Sequence, residues 1–123
     1  MELIGETLHT RIYVTDQADS KAGGENHAYV ITDIQGNLLQ TISFQHGPIG
    51  EHGVNGIQHA DLLVVVQHRL DSFQKGSFNS TVNEVTCGFV AAALASEATR
   101  SRRRTLAGVE GTNRKALGVE AAA

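Results

Sequence analysis

The apolar pattern of this chain changes period once, across ten residues, GPIGEHGVNG, which carry glycine at 47, 50, 53 and 56 and the single proline at 48. Before that stretch the residues have the two-residue period of strands; after it they recur every three or four, as on a helix. The fold class expected is therefore α+β, a small N-terminal antiparallel β-sheet over 1–46 followed by a C-terminal helical hairpin over 59–115. The glycine-rich 47–58 is the joint between them, and 116–123 reads as a disordered tail. At 123 residues the whole is expected to be one domain, being too short for two ordinary ones.

Three segments rich in β-branched and aromatic residues make the sheet: RIYVT at 11–15, HAYVIT at 27–32 and LQTISF at 39–44. In the last, Ile42 and Phe44 face one side while Thr41 and Ser43 face the other. Gly36-Asn37 suits a tight hairpin between the second and third, and 16–25 is a polar loop. In the helical half, Leu62, Leu63, Val66, Leu70 and Phe73 recur on one face, with Asp61 where the helix dipole favours an anion. A second helix starts at Ser80 or Thr81, where TVNE has the form of a capping box. Val82, Val85, Phe89, Ala92 and Ala93 line one of its faces, and it runs to about Thr105, stopping near Gly108.

Composition narrows the function. Hydrophobic content of 41% supports folding, but 5% aromatic and no tryptophan predict a modest core and further burial by oligomerisation. A net charge of -3 argues against a general binder of DNA or RNA polymers, which needs a basic surface. Cys87 is alone, so no intramolecular disulfide can form. No apolar run approaches ~18 residues, and MELIGETLHTRIYV lacks the basic start and apolar stretch of a secretion signal. The expectation is a soluble cytoplasmic protein.

Few groups suggest chemistry. The glycine run matches neither G-x-x-x-x-G-K-[ST] nor G-x-G-x-x-G, and is too short for a collagen helix. It is a plain joint or, because Gly56 leads into a helix start, a phosphate-contact candidate. His46, His52, His59 and His68 stand 6, 7 and 9 residues apart, which fits no zinc signature, so surface histidines and no metal site are expected. Cys87 falls mid-helix, where a structural role is expected, and no catalytic group is assigned. Arg100, Arg103 and Arg104 can share a helix face while Arg102 points elsewhere. They form either a solvated helix end or an anion site of forked donors. Phe73 and Phe78, at the ends of the inter-helix loop, could offer a ring to a base, although periodicity alone makes Phe73 core.

The stretch GVNGIQHADLLVVVQHRLDSFQKGSFNSTVNE and the tail RSRRRTLAGVEGTNRK resemble the helical hairpin shared by two phage anti-defence families. These are the Thoeris anti-defence proteins of the first type and the anti-CBASS proteins of the second. The marks are GPIxExGVNG, D-L-L at 61–63, R-L-x-x-F-Q at 69–74 and G-V-E-G-T at 108–112; the strand-rich N-terminal third points to the Thoeris type. The resemblance implies a sponge in the cytoplasm of the infected bacterial host, which sequesters an immune signalling nucleotide without cleaving it. That signal is a cyclic ADP-ribose isomer, glycocyclic ADP-ribose, held between two subunits; some members also hold cyclic di- or trinucleotides at separate sites in a larger ring-like assembly, and the assembly implied for this chain is a hexamer. By motif, Phe73 is the base-stacking position, Asn83 the polar position at the start of the second helix and Arg100 a phosphate-binding arginine. Arg104 joins them in the nucleotide-binding set, Lys21 is a guess for a further phosphate contact from the sheet half, and no cofactor is implied. On this reading the glycine run is a tight joint whose backbone lines or abuts the nucleotide pocket. The alternative is a small phosphodiesterase or nucleotidase acting on the same signals.

Overall fold

The computed structural model describes residues 1–18 and 24–109, which form two compact units meeting in sequence at Ile57 and Gln58. Lys21, the end of the G-V-E-G-T motif and the tail 116–123 lie outside the described residues. The first unit is a four-stranded antiparallel meander in sequence order: β1 (Glu2–Glu6), β2 (Thr10–Val14), β3 (Ala28–Asp33) and β4 (Leu38–Ser43). The sequence reading found the last three strands. It missed β1, a short edge strand with a glycine next to its last residue, a bulge between Leu3 and Gly5 and no buried side chain, so no alternation marks it. Register is set by side-chain clasps in the turns. Asp33 accepts from the Asn37 backbone N–H at 2.8 Å and from its side-chain amide at 2.9 Å, and these bonds hold the Asp33 carboxyl below its usual pKa. The β3–β4 turn is thus built from Asp33 to Asn37, around the Gly36-Asn37 pair expected to turn the chain.

The glycine run is a closed loop, not a simple bend. After a single helical turn, α1 (Ile49–His52), the chain returns so that Ile57 lies parallel to Phe44. Ile57 donates to the Ser43 carbonyl and accepts from the Gln45 N–H, both at 2.9 Å. Two amide side chains close the ring. Gln45 donates to the Gly47 and Gly53 carbonyls and accepts from the Asn55 N–H, while Asn55 accepts from the His46 N–H and donates to the His46 carbonyl. Gly56 is needed here because a Cβ would meet the Phe44 carbonyl oxygen at 2.5 Å, with backbone on that side and nothing flexible to yield.

The second unit is a helical hairpin, α2 (His59–Lys75) and α3 (Thr81–Leu106). Its bounds agree with the periodicity, as does Asp61 at the start of α2, and the cap of α3 differs by one residue. Asp61 accepts from the Gln58 N–H at 2.8 Å, so the chain's own carboxylate already occupies the start of α2. The cap of α3 is Ser80, whose Oγ accepts from the Asn83 N–H at 3.0 Å, one residue before the T-x-x-E box expected. At the far end Gly108, at φ +73°, turns the chain so that Val109 N–H reaches the Arg104 carbonyl, a Schellman-type stop. No helix among the described residues is long and apolar enough to cross a membrane.

Candidate functional site

The hairpin seam departs from the sequence reading in a way that matters for function. Ala60, Leu63, Gln67, Leu70 and Gln74 of α2 recur every three or four residues among the shielded positions, as do Asn83, Cys87, Val90, Leu94 and Glu97 of α3, with Leu62, Thr86 and Ala93 flanking them. Polar pairs pin this seam. Gln74 clasps both backbone groups of Ser80 at 3.0 Å, Cys87 Sγ lies 3.8 Å from Asp71 Oδ1, and His59 Nδ1 lies 3.4 Å from Glu97 Oε1. Of the face expected to turn inward on α2, Leu62, Leu63 and Leu70 are shielded and Val66 is 44% exposed. On α3 most of the expected stripe points out instead, Val82 and Phe89 being each 74% exposed and Val85 53%, while Ala93 is shielded. Among the described residues Val14, Pro48 and Val109 are the buried apolar residues, and no large side chain is fully enclosed.

The candidate ligand residues fall at the two ends of this hairpin. Phe73, 39% exposed, sits in the last turns of α2, and Asn83 in the first turn of α3. At the same end of the hairpin a groove of about 710 Å³ is lined by Asp71, Gln74, Asn79, Ser80, Glu84 and Cys87 among others, with neither Phe73 nor Asn83 in its lining. This lining carries carboxylates and no cation, so it suits a donor such as a ribose hydroxyl or an exocyclic amine better than a phosphate. A second groove of about 450 Å³ is lined by Ser96, Thr99, Arg100 and Arg103, which can present forked donors to an anion. Asn83 and Arg100 are separated by about 25 Å along α3, at the helical rise of ~1.5 Å per residue. One chain therefore does not bring the expected base and phosphate contacts together.

Arg104 is separated from Arg100 in role. It is buried, and its Nη2 donates to the Val109 carbonyl at 3.0 Å, so it fastens the end of α3. The basic face is made by Arg100 and Arg103, a pair whose three-residue spacing was legible, rather than by all three arginines. The structure also adds a residue that sequence reasoning passed over: the Arg69 guanidinium carbon lies 5.2 Å from the centre of the Phe73 ring.

The glycine run and the histidines have structural roles. Backbone N–H groups of residues 51–53, 55 and 57 already donate within the closed loop, which leaves little of a phosphate cradle. His27 and His46 stack at 4.1 Å, and the His52 ring lies against Gly47. Among the described residues no three His, Cys, Asp or Glu side chains are placed to hold a metal ion. Desolvation and then the neighbouring Asp71 charge push the Cys87 thiol above its usual pKa, away from the thiolate a nucleophile needs. Iodoacetamide should therefore alkylate Cys87 of the folded protein more slowly than the unfolded chain at pH 8, and Asp71→Asn should speed the reaction. Equal rates in all three samples would show that Asp71 does not hold the proton on sulfur.

No protein-family model matches the chain. A protein of Bacillus phage SBSphiJ7, Thoeris anti-defense 1, is 36% identical to it over 102 residues, covering 83% of this chain and 71% of the phage protein.

Proposed function

This chain belongs to the Thoeris anti-defence 1 family, and from that premise we propose that it is a phage sponge that binds an immune signalling nucleotide and withholds it unchanged in the host cytoplasm. The ligand is an adenine-bearing cyclic ADP-ribose isomer, glycocyclic ADP-ribose, with cyclic di- or trinucleotides as further candidates for separate sites. Phe73 stacks on the base, Asn83 reads a polar edge of it, and Arg100, with Arg103 beside it, takes the phosphates. Arg104 contributes by holding the end of α3 on which they stand.

The observation that carries this reading is the separation of Phe73 and Asn83 from Arg100 by most of a helix, together with the exposed apolar stripe between them. A compact nucleotide cannot span about 25 Å. It can touch both groups if a second chain packs head to tail along Val82, Val85 and Phe89, so that the arginines of one copy meet the ring of the other. Water-exposed valine and phenylalanine favour such packing by about 25 cal/mol per Å² removed from solvent. On this reading the assembly is a homo-oligomer built from dimers, and a hexamer is the full form that the family resemblance implies. Enclosure between two chains also suits a protein that must outcompete a receptor at nanomolar concentration, a scale of about -12 kcal/mol.

The test is to incubate the protein with glycocyclic ADP-ribose, re-isolate it, denature it and analyse the released ligand by mass spectrometry. Unchanged nucleotide in stoichiometric yield is expected; cleaved product would identify a phosphodiesterase or nucleotidase instead. Arg100→Ala should weaken binding roughly 10- to 100-fold, the scale of a lost charge-assisted bond, while sedimentation shows the same oligomer. Unaltered affinity would remove Arg100 from the site.

A further inference from the structure

Resting on the nucleotide reading above, we infer that Arg69 is a ligand-binding residue, closing one face of the Phe73 ring and bringing positive charge to the base-stacking end of the site. Arg69 and Phe73 are one helical turn apart on α2, and the guanidinium carbon stands 5.2 Å from the ring centre, inside the range of a cation–π contact. Among the described residues this is the one cation held over an aromatic ring.

Three consequences follow from that placement. With one ring face covered, a base has only the other on which to stack, so the ring is presented in one sense. A cation on the far face draws electron density out of the ring, which favours stacking of an electron-rich purine on the near face. The third concerns charge. Asp71, two positions along α2 from both Arg69 and Phe73, and Glu84, next to Asn83 on α3, carry carboxylates that repel a phosphorylated ligand at this end of the hairpin. Arg69 offsets that repulsion within a Debye length of about 10 Å. It acts on affinity and on salt dependence together, which an arginine that merely packed against phenylalanine would not do.

The test titrates glycocyclic ADP-ribose into the full-length wild type, Arg69→Lys, Arg69→Gln and Arg69→Met by calorimetry at low and high salt. Arg69→Gln and Arg69→Met should bind roughly three- to tenfold more weakly at low salt, with a shallower dependence of Kd on salt. Arg69→Lys keeps the charge, and should keep the steep dependence and most of the affinity. Unchanged affinity in Arg69→Gln, or weaker binding with the wild-type salt dependence, overturns the inference and leaves Arg69 a helix-surface contact. Absence of binding by the wild type is a different result: it overturns the sponge reading itself. Helical circular dichroism of each variant separates a lost contact from a lost fold.

Discussion

A chain carrying Val85→Glu and Phe89→Glu should sediment as a monomer and lose glycocyclic ADP-ribose binding by more than a hundredfold, although neither residue is assigned a contact with the nucleotide. Both side chains are exposed, at 53% and 74%, on the face of α3 turned away from α2, and glutamate is a good helix former, so the hairpin itself should survive. What the substitutions remove is the surface on which a second chain packs, and they put like charges opposite each other across it. Because Phe73 and Asn83 stand at one end of the hairpin and Arg100 at the other, a monomer offers half-sites only. Sedimentation velocity and calorimetry on the same sample decide the matter. A monomer that still bound the nucleotide at wild-type affinity would place the whole site within one chain and end the two-chain proposal.

The second large effect concerns the sheet unit. Gly56→Ala should destabilise it by about 2–4 kcal/mol, the combined scale of two strained or broken backbone hydrogen bonds and the accompanying steric shift. The alanine methyl would enter the space of the Phe44 carbonyl and the Gln45 nitrogen, which are themselves fixed by the Ile57 bonds at 2.9 Å. The chain could relieve the clash only by lifting Ile57 away from β4. Both tyrosines, Tyr13 and Tyr29, belong to the sheet, so intrinsic tyrosine fluorescence in urea follows this unit rather than the hairpin. Gly88→Ala is the control, followed in the hairpin by helical circular dichroism: its added methyl meets nothing within 4 Å and should be neutral or stabilising by about 1 kcal/mol. Coincident urea midpoints for Gly56→Ala and wild type would show that the loop can open without cost.

Period, breakers and caps are local, and what depends on them was legible. The alternation in β2, β3 and β4, the start of α2 beside Asp61 and the stop at Gly108 each rest on residues a few positions apart. The family marks are local strings as well, and the 36% identity to the phage protein agrees with them. Even so, local rules misread β1, whose exposed edge position erases alternation, and moved the α3 cap by one residue because Ser80 and Thr81 are both capping types.

Which apolar stripe faces which partner is a different kind of fact. The α3 sequence carries two candidate stripes, and hydrophobicity alone favours Val82, Val85 and Phe89 over Asn83, Cys87, Val90, Leu94 and Glu97. Only the packed hairpin shows that the second faces α2, because Gln74 finds Ser80 and Asp71 finds Cys87 across the seam. Those pairings satisfy polar groups that would be costly to shield singly, and they release the more apolar stripe for the surface. The same holds for the ligand residues. The family motif puts forward Phe73, Asn83, Arg100 and Arg104 as ligand residues, but rotation and rise along α3 decide that Arg104 turns inward to Val109 while Arg100 remains beside Arg103. Sequence determined which elements form and which chemistry they carry, since those depend on neighbours along the chain; the tertiary fold alone decided which faces are left over, since that depends on neighbours in space.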